Sequence, residues 1–174
     1  RAATGGEPFF LGPLYVYFLA APLALTGGSL VAAKVLQVLL GTAAVGLLYI
    51  AARPWFGRKA ALAAAGLLAL TGPVVFREAI FLQAARDPFL MALGLCAVSR
   101  ALEAARGRDW ALAGAALGLF ALNRPNALLW GLGLAAALPL ARGIARGGRE
   151  AAALALGLAL AVPPATLRNL AGSG

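Results

Sequence analysis

The sequence has no histidine, one cysteine and only six acidic residues among its 174 residues. Without histidine, a Ser-His-Asp triad, a histidine general base and a histidine-ligated metal site are all excluded within this chain. Cys96 has no second cysteine to pair with, so the chain has no disulfide framework. Acid–base chemistry in this chain therefore depends on its few carboxylates.

Charge is also scarce, since charged residues make up 12% of the chain and hydrophobic residues 62%. A soluble domain of this length could not bury so much apolar surface. The net charge of +9 could suggest nucleic acid, but most basic residues lie in three short clusters between apolar runs. Anionic membrane lipids are the partner that this pattern favours, and no nucleic acid is expected. The clusters are Arg53/Arg58/Lys59, Arg100/Arg106/Arg108 and Arg142/Arg146/Arg149.

Long apolar runs follow one another along the chain, and a basic cluster occupies every second connection between them. A membrane-spanning helix needs about 20 mostly apolar residues, and Lys and Arg collect in cytoplasmic loops. The sequence therefore predicts an all-α, polytopic transmembrane helix bundle of about six spans, with the basic clusters on the cytoplasmic side. The runs cover residues 31–52, 60–75, 88–98, 110–122, 127–140 and 151–162.

Two regions are expected. Residues 1–28 are predicted to form an outer loop and an interfacial helix, because the apolar, aromatic stretch 13–25 is short for a span. Residues 29–174 are predicted to form the bundle, as a fragment of a longer membrane domain. A full, tilted span over 13–25 is the alternative, and it would place the three basic clusters outside.

Helix ends are predicted from capping residues. Ser29 is expected to N-cap the first span, and Pro54 and Gly57 are expected to end it. Asp87 is expected to N-cap the third span, with Pro88 in the first helical position.

The last three spans are predicted to follow one another closely. The fourth and fifth form a hairpin around residues 123–126. The sixth begins at Glu150. Gly114 and Gly118 form a pair of small residues one turn apart, which favours close helix packing.

Polar residues collect at the predicted outer face, opposite the basic clusters. Arginines there are not explained by topology, and a guanidinium suits phosphate oxygens. Lys34 lies inside a span, where an ionisable group is costly and usually functional. We predict an anionic head-group site, with phosphate ligands Lys34, Arg77, Arg124 and Arg168, supporting polar residues Gln83, Asn123 and Asn126, and candidate catalytic carboxylates Glu78 and Asp87.

Structural interpretations of the same residues stay open. Residues 123–126 could be only a tight turn between helices, in which Pro125 breaks the helix and the asparagines cap. Asp87 could be only a helix cap. Lys34 could extend to the interface. Glu78 beside Arg77 could be a solvated ion pair of little consequence.

The order of segments resembles bacterial membrane glycosyltransferases of the GT-C fold, the family 39-like relatives of protein O-mannosyltransferases and of the lipid A aminoarabinose transferase. Residues 7–15 resemble their outer-loop Pro-Leu-Tyr motif, and Lys34 opens the next span as a basic residue does there. Three further motifs follow in order, at residues 53–59 (Arg-x-x-Phe-Gly-Arg type), 118–126 (Gly-Leu-x-x-Leu-x-Arg-Pro type) and 164–169 (Pro-x-x-x-x-Arg-Asn).

This resemblance implies a hexosyltransferase, mannosyltransferase-like, that moves a sugar from a polyprenyl-phosphate donor to a lipid, glycan or protein acceptor. The active site would face outward from a bacterial inner membrane. The family's catalytic Asp lies in an outer loop expected before Arg1, so this segment alone is expected to be inactive. The resemblance assigns no certain cofactor, and a divalent metal ion is left as an open alternative.

A transporter or flippase for a lipid-linked or anionic substrate is the leading alternative function. Such a protein would carry ionisable or Gly/Pro-broken centres near the middle of the membrane. Here the span centres are mostly Ala, Leu, Val and Gly, and the polar groups lie at one end. A non-catalytic membrane scaffold is a third interpretation.

Overall fold

The computed structural model describes residues 13–71 and 83–162. Six α-helices lie in these ranges, with no strand among them, and a short 3-10 helix, Gln83–Arg86, precedes the third. The predicted all-α bundle is therefore confirmed. The helices are α1 (Pro13–Leu25), α2 (Leu30–Leu70), α3 (Asp87–Ala104), α4 (Gly107–Asn123), α5 (Ala127–Arg142) and α6 (Ile144–Ala161).

Helix α2 consists of two helical segments that meet at Gly57. Its start is as predicted, because the Ser29 hydroxyl accepts a hydrogen bond from the Ala32 amide at 3.4 Å. Gly57 has φ +76° and ψ 171°, which breaks the helix in a conformation that glycine adopts at little cost. The prediction that Pro54 also ends the helix is wrong, since Pro54 lies inside the first segment.

The end of this first segment lies against the end of α3. The Trp55 indole Nε1 donates to the Ser99 hydroxyl at 2.8 Å, and that hydroxyl donates to the Ala51 carbonyl at 3.4 Å. The contact brings the basic cluster around Arg53 next to the one that begins at Arg100. The two clusters therefore share one end of the bundle, as the sequence predicts.

Helix α6 begins six residues before its predicted start at Glu150. The turn from α5 is made at Gly143, whose φ is +84°. The Glu150 side chain is 6% exposed, and its carboxylate lies 3.1 Å from Arg142 Nε and 3.3 Å from Arg146 Nε. Arg146 therefore lies within the helix and not in a loop, and it pairs with the carboxylate one turn further on.

The most extensive helix contact joins α4 to α6, and glycine makes it possible. A Cβ on Gly114 would overlap the Leu154 carbonyl oxygen of α6, and a Cβ on Gly157 would overlap the Ala111 carbonyl oxygen of α4. A Cβ on Gly118 would lie 2.6 Å from the Ala161 Cβ. The predicted close packing at Gly114 and Gly118 is confirmed.

The exterior of the bundle is apolar. Leu129, Leu132, Leu140 and Leu160 are all more than half exposed, whereas Trp110 is fully buried. An apolar outer surface of this kind suits contact with lipid. Within the two described ranges, α2 is the helix that is long and apolar enough to cross a membrane, and α5 is a shorter apolar helix.

Candidate functional site

Asp87 is the first residue of α3 and does not cap it. Arg86 occupies the N-cap position, with φ −92° and ψ −12°, and makes no side-chain capping bond. The prediction that Asp87 is the N-cap is therefore wrong. The carboxylate still lies in the first turn, where negative charge interacts favourably with the helix dipole.

The Asp87 carboxylate binds the end of α4 instead. Asn123 Nδ2 donates to Asp87 Oδ1 at 2.7 Å, and Arg124 Nε donates to Oδ2 at 2.9 Å. Three residues predicted for the site from the sequence thus meet, although 36 positions separate Asp87 from Asn123. We call Asp87, Asn123 and Arg124 the Asp87 cluster.

The Asp87 cluster joins a buried amide to an accessible cation. Asn123 is fully buried, whereas the side chain of Arg124 is 49% exposed and that of Asp87 is 23% exposed. Arg124 uses only Nε to bind Asp87, so four guanidinium N–H groups remain, and they have no partner within the described part of the chain. A guanidinium held in this way can donate two parallel bonds to a phosphate.

The turn between α4 and α5 does not use its asparagines as caps. Asn126 stands in the N-cap position of α5 without a side-chain capping bond, and Asn123 binds Asp87. Backbone bonds close the turn, from the Ala127 amide to the Arg124 carbonyl at 2.8 Å and from the Leu128 amide to the Pro125 carbonyl at 3.0 Å. Of the open alternative, the tight turn is present, but the asparagine capping is not.

The remaining predicted site residues are not joined to the Asp87 cluster by the described contacts. Lys34 is exposed on α2 and makes no ion pair with any residue that the structure describes. Gln83 opens the 3-10 helix directly before α3, and Asn126 is exposed two positions after Arg124. Arg77, Glu78 and Arg168 lie outside the described residues, so their place in the site stays a prediction.

Two buried polar residues near these positions are not assigned to the site by the sequence analysis. Arg86 is 2% exposed, and its guanidinium carbon lies 4.4 Å from the centre of the Phe18 ring of α1, at cation–π distance. Gln37 is 1% exposed on α2, one turn after Lys34. A polar residue inside an apolar span was the signal that could have identified Gln37.

A metal site is not evident in the described ranges, because no group of three or more acidic or cysteine side chains there could hold a metal ion. The Asp87 carboxylate, which could serve as one ligand, already accepts bonds from an amide and a guanidinium. The arrangement at this end of the bundle suits an anion better than a cation.

The sequence comparison identifies the family. Residues 8–166 match the family described as dolichyl-phosphate-mannose-protein mannosyltransferase. The chain belongs to this family. It is thus a member of the membrane glycosyltransferases of the GT-C type, and the resemblance found in its motifs is confirmed. Searches of the curated proteins and of the solved structures give no match.

Membership of the mannosyltransferase family agrees with the fold. The family implies glycosyltransferase activity of a mannosyltransferase-like kind, with a lipid-linked sugar donor and an acceptor. Together with the apolar helix α2, it indicates an integral membrane protein.

Proposed function

We propose that this chain is part of an integral membrane glycosyltransferase whose donor is a sugar linked to a polyprenyl phosphate. The acceptor, a lipid, a glycan or a protein, is glycosylated on the outer face of a bacterial cytoplasmic membrane. Family membership supports sugar transfer from a lipid-linked donor. The basic clusters support the sidedness, because Asp87 begins α3, whereas Ser99, which binds Trp55 beside two of the clusters, lies near its other end.

The Asp87 cluster is the observation that carries this proposal. Transfer from a polyprenyl-phosphate sugar releases a phosphate, on which negative charge develops as the bond to the anomeric carbon breaks. A cation fixed in advance near that phosphate lowers the barrier, because no reorganisation is then needed during the reaction. Arg124 meets this requirement, since Asp87 holds its Nε and leaves its outer N–H groups accessible.

The other predicted residues complete the proposed site. Lys34, Arg77 and Arg168 are proposed as further ligands of the donor phosphate, with Gln83, Asn123 and Asn126 as supporting polar groups. The acceptor hydroxyl attacks the anomeric carbon directly, and a carboxylate takes its proton as the phosphate departs. Glu78 is the stronger candidate to assist that proton transfer, because both oxygens of Asp87 are already bonded. Asp87 then acts by positioning Arg124.

Sugar transfer by the full-length protein in membrane vesicles, with a radiolabelled polyprenyl-phosphate sugar, tests this proposal. Arg124→Ala should lower kcat by about 100-fold, the usual effect of removing one donor that stabilises a developing anion. Arg124→Lys should retain intermediate activity, because an ammonium keeps the charge but not the two parallel bonds. Arg58→Ala is the matched control, since Arg58 is an exposed arginine of a basic cluster.

The variants Glu78→Gln and Asp87→Asn distinguish the proposed roles of the two carboxylates. Glu78→Gln should reduce kcat, whereas Asp87→Asn should reduce kcat less and weaken binding of the donor, because it releases Arg124. Wild-type rates for Arg124→Ala, with the protein present at normal levels, would exclude the Asp87 cluster as the donor-phosphate site.

A further inference from the structure

An apolar groove lies between α2 and α3, where the first segment of α2 and the end of α3 meet, and its volume is about 240 Å³. Trp55 and Phe56 form part of its wall. These two residues are 57% and 73% exposed, so the groove opens at the outer surface of the bundle. Ala52, Leu95 and Leu102 are among the residues of its other walls.

The polar side chains of the groove, Trp55 and Ser99, already bond to the protein. The Trp55 indole Nε1 donates to the Ser99 hydroxyl at 2.8 Å, and that hydroxyl donates to the Ala51 carbonyl at 3.4 Å. The groove therefore presents an apolar surface, against which the polar groups of a ligand would lie unpaired. Its volume equals that of about eight water molecules, which admits part of one hydrocarbon chain.

Basic residues lie around this end of the bundle. The first two basic clusters begin at Arg53 on α2 and at Arg100 on α3, next to residues that line the groove. Their six residues are all exposed, and none forms an ion pair within residues 13–71 and 83–162. Among the carboxylates that the structure describes, only Glu103 is exposed. The end of the groove is therefore a region that attracts negative charge.

Two of these basic residues follow the last lining residue of each helix. Lys59 comes three positions after Phe56, and Arg106 comes four positions after Leu102. A gap of about one helical turn, roughly 5 Å, therefore separates the apolar groove from the two cations. A ligand that uses both needs a short polar spacer between its anionic group and its hydrocarbon chain.

We propose that this groove binds one anionic phospholipid of the cytoplasmic leaflet, with an acyl chain in the groove and its phosphate at Lys59 and Arg106. The glycerol backbone of a phospholipid supplies the spacer. An isoprenoid phosphate fits less well, because its phosphate is attached directly to its chain. Basic pockets between membrane helices on the cytoplasmic side are suited to anionic head groups. The inference goes beyond the proposed function, since it needs neither the sugar donor nor Arg124.

The groove is separate from the Asp87 cluster. Ser99 comes twelve residues after Asp87 on α3, which is about 18 Å along the helix. A phospholipid in the groove therefore covers the contact between α2 and α3 without reaching the proposed donor site.

Native mass spectrometry of the purified full-length protein tests the head-group contact. The protein is titrated in detergent with phosphatidylglycerol, or with phosphatidylcholine of the same acyl chains, and the wild type should bind phosphatidylglycerol about tenfold more tightly, which corresponds to about 1.4 kcal/mol. Lys59→Gln/Arg106→Gln should retain one phosphatidylglycerol fewer, with about 30-fold lower affinity at that site, because each basic residue near an anionic lipid contributes to binding.

The matched control removes the same charge elsewhere at this end of the bundle. Arg108→Gln/Arg149→Gln changes two exposed arginines that follow no lining residue of the groove. Its affinity for phosphatidylglycerol should fall by less than about threefold, because charges more than a Debye length away are largely screened. An equal fall in both double variants would reduce the effect to general charge and overturn the proposed site.

Two further variants test the apolar part of the groove. Ala52→Phe and Leu95→Trp enlarge partly exposed lining residues, and each should lower the affinity for phosphatidylglycerol by about tenfold, or about 1.4 kcal/mol. Ala43→Phe, at an exposed position of α2 that does not line the groove, is the matched control and should bind as the wild type does. Leu95→Trp keeps the test decisive if Ala52→Phe does not fold.

Several results would contradict the proposal. Equal affinities of the wild type for the two lipids would show that no anionic head group is recognised. Unchanged binding in both groove variants would place the acyl chain elsewhere. Displacement of phosphatidylglycerol by an equal concentration of farnesyl phosphate would assign the groove to an isoprenoid phosphate.

Arg124→Ala distinguishes this inference from the proposed function. This variant should bind phosphatidylglycerol as the wild type does, and a loss as large as that of Lys59→Gln/Arg106→Gln would place the lipid in the donor site. If Arg124→Ala transfers sugar at the wild-type rate while the lipid results hold, the proposed donor site is wrong and the phospholipid site stands.

Discussion

Replacing Gly114 by alanine should weaken the bundle far more than the same change at Gly46. The added Cβ at Gly114 would overlap the Leu154 carbonyl oxygen and lie 2.9 Å from the Leu158 amide nitrogen. Both are backbone atoms of α6, so no side-chain rotation can relieve the overlap. Helices α4 and α6 would have to separate along the most extensive contact in the bundle.

The expected difference in free energy of unfolding follows from two opposing effects. Overpacking of this kind costs about 1–3 kcal/mol and sometimes more. Replacing glycine by alanine within a helix otherwise gains up to about 1 kcal/mol. Gly46→Ala should show only the gain, because a Cβ there would meet nothing within 4 Å. Because the gain applies to both variants, they should differ by the overpacking cost, about 1–3 kcal/mol in free energy of unfolding.

Equilibrium unfolding in mixed detergent micelles, followed by tryptophan fluorescence, measures this difference. Trp110 reports on the same contact, because it is fully buried in the core cluster that includes Leu154. If Gly114→Ala proves as stable as Gly46→Ala, the close approach of α4 and α6 described above is incorrect.

Two further predictions concern the end of the bundle that carries the basic clusters. Glu150→Gln should lower stability by about 1–3 kcal/mol, because it removes the charge that compensates Arg142 and its neighbouring arginine at a buried position. Thermal melting measures this loss. The control Glu103→Gln, at an exposed position of α3, should melt as the wild type does. Equal melting temperatures of the two variants would contradict the buried ion pair. Trp55→Phe should cost about 1 kcal/mol through loss of the bond to Ser99. Ser99→Ala should add little to that variant, and full additivity in the double variant would show that the two side chains do not interact.

The helices themselves could be predicted from the sequence, because long apolar runs dictate them. Their ends were harder to predict, since tertiary contacts decide them. Pro54 is tolerated within α2, and only the positive φ at Gly57 breaks the helix. Helix α6 extends back to Ile144, and the buried carboxylate of Glu150 pairs there with basic residues that the sequence alone places in a loop.

For the candidate site, too, the sequence predicts the location, whereas tertiary contacts decide the pairing of the side chains. Topology places Asp87, Asn123 and Arg124 at one end of the bundle, and the structure brings them together there. Local rules assign Asp87 to a cap, but Arg86 takes that position, and the Asp87 carboxylate accepts bonds from Asn123 and Arg124. The stacking of Arg86 on Phe18 likewise joins residues from distant parts of the chain, and no spacing within the sequence encodes it.

The glycine contact between α4 and α6 has a mechanical consequence. Because each backbone fits against the other, neither helix can slide or rotate without collision. The two therefore move as one rigid body, and Arg124, directly after α4, keeps its position on it. An opening among the described helices should therefore come from outside this pair, and α1, whose contacts to α2 and α4 are smaller, is the first candidate to move.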